Sequence, residues 1–356
     1  MKRYNFSADL VRVFAIAGVV AIHTANSVFA RPDFVGGTSW WFALVVNSVS
    51  RPAIPLFILV SGYFLLAKDE PYGAALRRTW SRLGIPFLFW FLADVLWNHP
   101  GQTLGYWRLQ PVLIRRLFTV NVFDLYFFVI LIGLYAVAPV LRAYLSRRDA
   151  VGKRRFGNTL LVFGVALFAC EYLFSLCSPA NSLTYWVPYT GLFVAGYVLG
   201  HTDQIRKLSV FLLYLGGLAV TVAGGYAYFY LTAHGNNVLG SHGCLTMYSD
   251  SYLSVNVVAM AVASFVFLMH TDFSWVPNII KKLIFSIARN TLGIYVLHTF
   301  VIDILDYWHV FSFSMPLVVY IILRWFVVFT LAYIYSLIFT RIPVIRRVFG
   351  ETKRAT

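Results

Sequence analysis

The sequence predicts an all-α polytopic membrane protein, a bundle of about ten transmembrane helices with both termini cytoplasmic, and three observations predict it. Hydrophobic residues make up 60% of the chain and charged residues only 12%, a composition far from that of soluble domains. Apolar stretches of about 18 residues or more recur along its length, and about 20 residues at 1.5 Å each cross the hydrocarbon layer. Cations collect in alternate connections, as the positive-inside rule requires of cytoplasmic loops.

Each span follows from an apolar run and its basic flanks. The first, from 8 to 29, follows Lys2 and Arg3. The second, 40 to 66, stops before Lys68. The third, 83 to 98, opens after Arg77, Arg78 and Arg82. The fourth, 123 to 145, runs into Arg142, Arg147 and Arg148, and the fifth, 158 to 177, leaves from Lys153, Arg154 and Arg155. The sixth, 185 to 200, leads to Arg206 and Lys207, from which the seventh, 209 to 231, departs. The eighth, 251 to 269, precedes Lys281 and Lys282, the ninth is 283 to 305, and the tenth, 315 to 340, meets Arg341. Spans three and six are short and open to being broken or partly interfacial.

With the N-terminus inside, 21 of the 29 lysines and arginines face the cytoplasm, and the outer loops keep Arg31, Arg108, Arg115 and Arg116. Arg12, Arg51, Arg289 and Arg324 lie within spans. A cleaved signal peptide is the alternative for the first span, because Val28 and Ala30 resemble a cleavage site. Its removal would put the N-terminus outside and reverse the charge bias, so the helix is kept.

The cysteines, Cys170, Cys177 and Cys244, show neither a disulfide framework nor metal-ligand spacing, and no metal is expected. A net charge of +15 belongs to membrane-adjacent loops and anionic lipid headgroups rather than to nucleic acid. There is no linker, low-complexity tract or convincing internal repeat, so one membrane domain fills residues 1–356 with a short basic cytoplasmic tail.

Intramembrane ionisable residues are costly and are functional-site hypotheses by default. Depth along each span sorts them. Arg12 and Arg289 fall in the inner half, near Arg77, Arg78 and Arg82. His23, Asp94, Glu171, His298 and Asp303 fall in the outer half, with Asp124 at the outer entry of span four. Arg12 and His23 share a face, because eleven steps of about 100° nearly close three turns and leave them about 16 Å apart. Asp9 and Asn26 extend that stripe, which predicts a channel-like site open to two compartments. Guanidinium forks suit a donor bearing several phosphates. An imidazole above them suits proton transfer from an acceptor hydroxyl. Acyl transfer from coenzyme A to an alcohol meets both requirements.

Plainer readings stand beside these. Arg12 can snorkel to the interface, and Arg77, Arg78 and Arg82 can be topological anchors. His23 and His298 can be interhelical hydrogen-bonding glue. Glu171 and Asp303 are either a second proton relay or structural charges, for which Arg51 and Arg324 are the expected partners. The outer loop with His234, His242 and Cys244 matches no common zinc pattern. Its Asn236 and Asn237 could line an acceptor groove, as could Trp97, Tyr106 and Trp107, although interfacial aromatic belts explain such rings as well.

At these residues the sequence resembles the acyltransferase 3 family of integral-membrane O-acyltransferases, in the branch similar to the enterobacterial common antigen O-acetyltransferase. Arg12 and His23 reproduce that family's Arg and His with ten residues between them. PLFILVSGYFLL matches its PLFFxxSGY-like segment through Pro55, Ser61, Gly62 and Tyr63. RRTWSRLGIPFLFW, DLYFFVILIGLYAVAPVL and NTLGIYVLH follow in the family's order. Two features depart from it: Arg77, Arg78 and Arg82 stand where the family has RxxR, and Asp124 and Tyr126 stand where relatives of this branch often have His and Trp.

The resemblance implies transfer of an acetyl group from cytoplasmic acetyl-CoA to a hydroxyl of an extracytoplasmic or lipid-linked polysaccharide, in a bacterial inner membrane. His23 would be the catalytic histidine, with Glu171 and His298 as further catalytic candidates. Arg12, Arg77, Arg78, Arg82, Arg289 and Ser61 would hold the donor. Asp94, Asp124 and Asp303 are candidates for the acceptor side. About 16 residues follow the last expected helix, so no appended soluble domain is expected, and a homo-oligomer stays open. The competing class is a proton-coupled transporter or flippase of an anionic substrate, which would call for repeats and discontinuous helices that the sequence does not display. A structural subunit of an export assembly would leave the buried charges unexplained.

Overall fold

A computed structural model of the chain describes residues 5–98, 125–173, 183–202, 207–233 and 245–350. Those residues are helical, without strands. In chain order the helices are α1 (Phe6–Phe29), α2 (Thr38–Ser50), α3 (Ala53–Leu65), α4 (Tyr72–Thr79), α5 (Ile85–Asn98), α6 (Tyr126–Ser146), α7 (Ala150–Leu173), α8 (Thr190–Gly200), α9 (Lys207–Ala233), α10 (Val255–His270), α11 (Asn278–Arg289), α12 (Thr291–Tyr307) and α13 (Leu317–Phe339). Among the described residues six helices are long and apolar enough to cross a membrane, or seven if the bent pair α11 and α12 counts as one span.

The hub is α1. Asn5 starts it by accepting the amide of Ala8 at 3.1 Å, which satisfies one of the orphan donors of a first turn. Its apolar positions Ala8, Val11, Ala15, Ile16 and Val20 are fully buried, and it packs against α2, α3, α10, α11, α12 and α13. A helix so enclosed needs its polar edges satisfied from outside. Trp325 donates its indole N–H to the carbonyl of Ala17 at 3.0 Å, and Trp40 does the same to Phe29 at 3.0 Å. Without water to compete, such bonds answer groups that would otherwise be stranded.

Three expected spans differ in shape from the sequence reading. Span two is divided at Arg51–Pro52 into α2 and α3, because proline supplies no amide to the helical ladder. Its broken edge packs on Gly18, where an added Cβ would crowd Ser50 and Ala53. Span nine is divided at Asn290, and α11 leaves α12 at 70°. In α11 the cations Lys282 and Arg289 lie on one side, exposed Ile279 and Leu283 on another, while Ala288 is buried. That amphipathic pattern suits a helix at an interface rather than across it. Span three is the end of a longer helical path, with α4 joined to α5 through a π-helical turn at Trp80–Gly84. Discontinuous helices are therefore present, and those in spans two and nine are unexpected from the sequence.

Small residues set the closest crossing. A Cβ on Gly62 of α3 would strike the carbonyl of Phe193 on α8, and one on Gly196 of α8 would strike the carbonyl of Leu59 on α3. The two backbones therefore meet at their glycines, as small residues permit in membrane bundles. Gly62 of the SGY segment has a packing reason of its own. Gly196→Ala is expected to destabilise the detergent-solubilised protein by about 1–3 kcal/mol through overpacking. Gly216→Ala in α9, where an added Cβ meets nothing within 4 Å, should leave stability equal or raise it by up to about 1 kcal/mol. Equal unfolding midpoints for the two variants would contradict this account of the crossing.

Candidate active site

The residues singled out above line two cavities. The first, about 450 Å³, is walled by Arg12, Ser61, Lys68, Arg78, Arg82 and Arg289, together with Tyr135, Gly350 and a set of apolar side chains. Among the described residues, five cations and no carboxylate line it. The second, about 250 Å³, is walled by His23, Asp94, Trp97, Thr299 and Asp303, with Trp90 and Phe300. Tyr295 lines both.

In the basic cavity, Arg12 on α1 is held by Asp9 at 2.9 Å, one turn earlier, and lies over the Phe64 ring at 4.7 Å from its centroid. Both contacts keep a membrane-embedded guanidinium extended into the cavity rather than toward lipid. Ser61 receives a hydrogen bond from the Tyr135 hydroxyl at 3.3 Å. Arg78 pairs with Glu70, and Arg142 reaches the same carboxylate at 3.6 Å and the carbonyl of Lys68 at 2.8 Å. Arg78 and Arg82 are four residues apart and fall on one side of the helical path. Arg77, one step of about 100° away, is exposed and does not line the cavity. The π-helical turn Trp80–Gly84, which carries Arg82, is a distortion that recurs at functional sites.

The floor of this cavity comes from an unexpected place. A 3-10 turn, Ile345–Phe349, follows α13, and the carbonyl of Val348 accepts the Trp90 indole N–H at 2.8 Å. Phe349 is buried against the rings of Trp90 and Phe339. Gly350 then takes φ 73°, a left-handed conformation that suits glycine. A Cβ there would also press on the Arg82 carbonyl. No charge pattern in the tail announces that contact.

In the second cavity His23 is half-buried, and its ring meets that of His298 edge-on at 4.9 Å. His298 is fully buried, does not line the cavity, and its Nδ1 bonds the Tyr295 carbonyl at 2.5 Å. That backbone acceptor selects the tautomer with the proton on Nδ1. Asp303 accepts the Trp97 indole N–H at 3.0 Å. The stripe on α1 is thus divided. Asp9 and Arg12 serve one cavity, His23 the other, and Asn26 is exposed.

Along that stripe the structure has two cavities, with Tyr295 in the wall of both. Phe57 and Phe127 stand with ring centroids 5.5 Å apart, and Phe127 and Tyr295 are also 5.5 Å apart. These three rings, from α3, α6 and α12, line the basic cavity, and of them Tyr295 also lines the cavity of His23.

The interior arginines find partners other than those expected. Arg51, at the α2–α3 break, pairs with Asp250, and Arg324 pairs with Asp306 at 2.7 Å and donates to the Tyr320 hydroxyl. Asp250 and Asp306 drew no notice in the sequence, since one follows a polar loop and the other sits at a helix end. Asp124 lies outside the described residues, as do Cys177, Cys244, His234, His242, Tyr106 and Trp107. Glu171 is in α7, but its side chain is outside what is described. Among the described residues no three His, Cys, Asp or Glu side chains gather as a metal site.

From residue 5 to residue 341 the chain matches the family described as an acyltransferase domain. No curated protein and no solved structure gives a significant match.

The Arg51–Asp250 pair is largely buried, so breaking it leaves a charge uncompensated. Arg51→Leu alone is expected to cost about 3–5 kcal/mol of stability, and the double variant Arg51→Leu/Asp250→Leu should recover most of it. A double variant as unstable as the single one would show that the two side chains are not coupled.

Proposed function

Because this chain belongs to the acyltransferase-domain family, we propose that it is a membrane O-acetyltransferase. In this reading it moves an acetyl group from cytoplasmic acetyl-CoA to a hydroxyl of an extracytoplasmic or lipid-linked polysaccharide in a bacterial inner membrane. The observation that carries the reading is the pair of cavities: five cations face one, His23 faces the other, and a single tyrosine lines both.

The basic cavity is the donor site. Arg12, Lys68, Arg78, Arg82 and Arg289 receive the phosphates of coenzyme A, for which guanidinium forks are shaped. Ser61, oriented by Tyr135, lies in the same wall for the pantetheine arm. The second cavity takes the acceptor: Trp90 and Trp97 offer flat faces, and Asp94 and Asp303 accept hydrogen bonds from sugar hydroxyls.

His23 acts as general base. It takes the proton of the acceptor hydroxyl as that oxygen attacks the thioester carbonyl carbon. The new C–O bond forms, the C–S bond breaks, and the imidazolium returns the proton to the coenzyme A thiolate. His298 supports the step by packing edge-on against the base.

Transport keeps one argument, namely the helix breaks at Arg51–Pro52 and Asn290, since transporters build sites from discontinuous helices. Labelled acetyl-CoA separates the two readings. The purified protein should bind it and transfer label to a polysaccharide acceptor, and absence of binding would favour transport.

His23→Ala should lower transfer by at least about 10²-fold while leaving the coenzyme A dissociation constant within about twofold. Full activity in that variant would remove His23 as the base. Arg12→Ala should instead raise the coenzyme A dissociation constant by about tenfold or more, the effect of losing a charge-assisted contact. An unchanged constant would take Arg12 out of the donor site.

A further inference from the structure

The three-ring cluster has a geometry beyond simple packing. Phe57 on α3, Phe127 on α6 and Tyr295 on α12 close the end of the basic cavity opposite its cations. On α3, Phe57 lies two turns, about 10 Å along the axis, before Phe64, the ring under Arg12. On α12, Tyr295 lies one turn beyond Thr291, which also lines the cavity. Val60 and Leu131 extend the apolar wall below the rings. A donor whose phosphates rest on the cations therefore points its other end, the thioester, at an apolar pocket with an aromatic roof. The Tyr295 ring of that roof also lines the cavity of His23.

We propose that this apolar end is the acyl-binding pocket, and that Tyr295, backed by Phe57 and Phe127, restricts it to short acyl groups and separates the thioester from the acceptor cavity until an acceptor is bound. This rests on the acyl-transfer reading above and names the residues that set its donor class. The Tyr295 ring also packs against Phe128 and His298, with centroids 5.9 and 6.0 Å away, and its carbonyl bonds His298. Whatever moves Tyr295 is thereby felt at the histidine pair. The ring has two tasks. It shields the thioester from water in the second cavity when no acceptor is present, and it leaves no room for an acyl chain beyond a few carbons.

The test compares acetyl-, butyryl- and hexanoyl-CoA as donors for the full-length protein in detergent, with coenzyme A affinity and unfolding midpoint measured beside each rate. Tyr295→Ala joins the two cavities. Relative to the wild type, its preference for butyryl- over acetyl-CoA in kcat/KM should rise about tenfold or more, and acetyl-CoA hydrolysis without acceptor should increase. Tyr295→Phe, which keeps the ring, should retain the wild-type chain-length order. Phe57→Leu thins the same roof from another helix and should shift the order in the same direction, so the test does not depend on one variant folding.

A wild type that transfers acetyl groups, combined with Tyr295→Ala and Phe57→Leu variants that keep its chain-length order and hydrolysis rate, would overturn the pocket and leave the reaction standing. A wild type that binds no acyl-CoA would overturn the reaction itself.

Discussion

The structure depends on where a charged side chain can go inside a bilayer. Hydrocarbon solvates neither guanidinium nor imidazole, so each must face protein or a polar cavity. The chain meets this constraint by placing the helix that bears Arg12 and His23 at the hub, against six others. One face of α1 is apolar and fully buried. The edges that remain open look into the two cavities. Asp9 and Phe64 then fix Arg12, and His298 packs beside His23.

The same constraint explains the ion pairs away from the cavities. Arg51 and Arg324 are interior, and each is answered by a carboxylate from another segment, Asp250 or Asp306. Such pairs contribute little net stability over apolar packing, but they are costly to break. They tie the α2–α3 break to the segment before α10, and α12 to α13. The backbone interruptions are accommodated in a related way. At Arg51–Pro52 the Arg51 Nε bonds the side chain of Asn47 at 2.8 Å. At Asn290 the side chain bonds the Ser286 carbonyl at 2.8 Å and receives the Ser336 hydroxyl at 3.0 Å.

Between the cavities the protein uses aromatic rings rather than charges. A ring can fill a gap between helices, exclude water, and still rotate or shift with few bonds to break. A charged partition would need partners on both sides. In the proposed reaction this distinction matters, because a general base beside the thioester can activate water as well as an acceptor hydroxyl. Two cavities that share the Tyr295 ring suit group transfer between a donor and an acceptor.

Much of this was legible in the sequence, for physical reasons that can be named. Apolar runs long enough to cross hydrocarbon, with cations between them, determine that the chain is a helical membrane protein, because local hydropathy decides partition residue by residue. Helical periodicity places Arg12 and His23 on one face, and the cost of a charge in lipid marks them for attention. Other features depend on contacts between segments far apart in the chain. Only the tertiary structure decided that Arg78 and not Arg77 faces the cavity, that Asp250 answers Arg51, and that Phe349 and Gly350 close the floor. It also decided that rings from three helices meet in the basic cavity and that one of them, Tyr295, lines both cavities. A sequence records the spacing along one helix, but the facing of two helices is chosen by packing across the bundle, which no single segment carries.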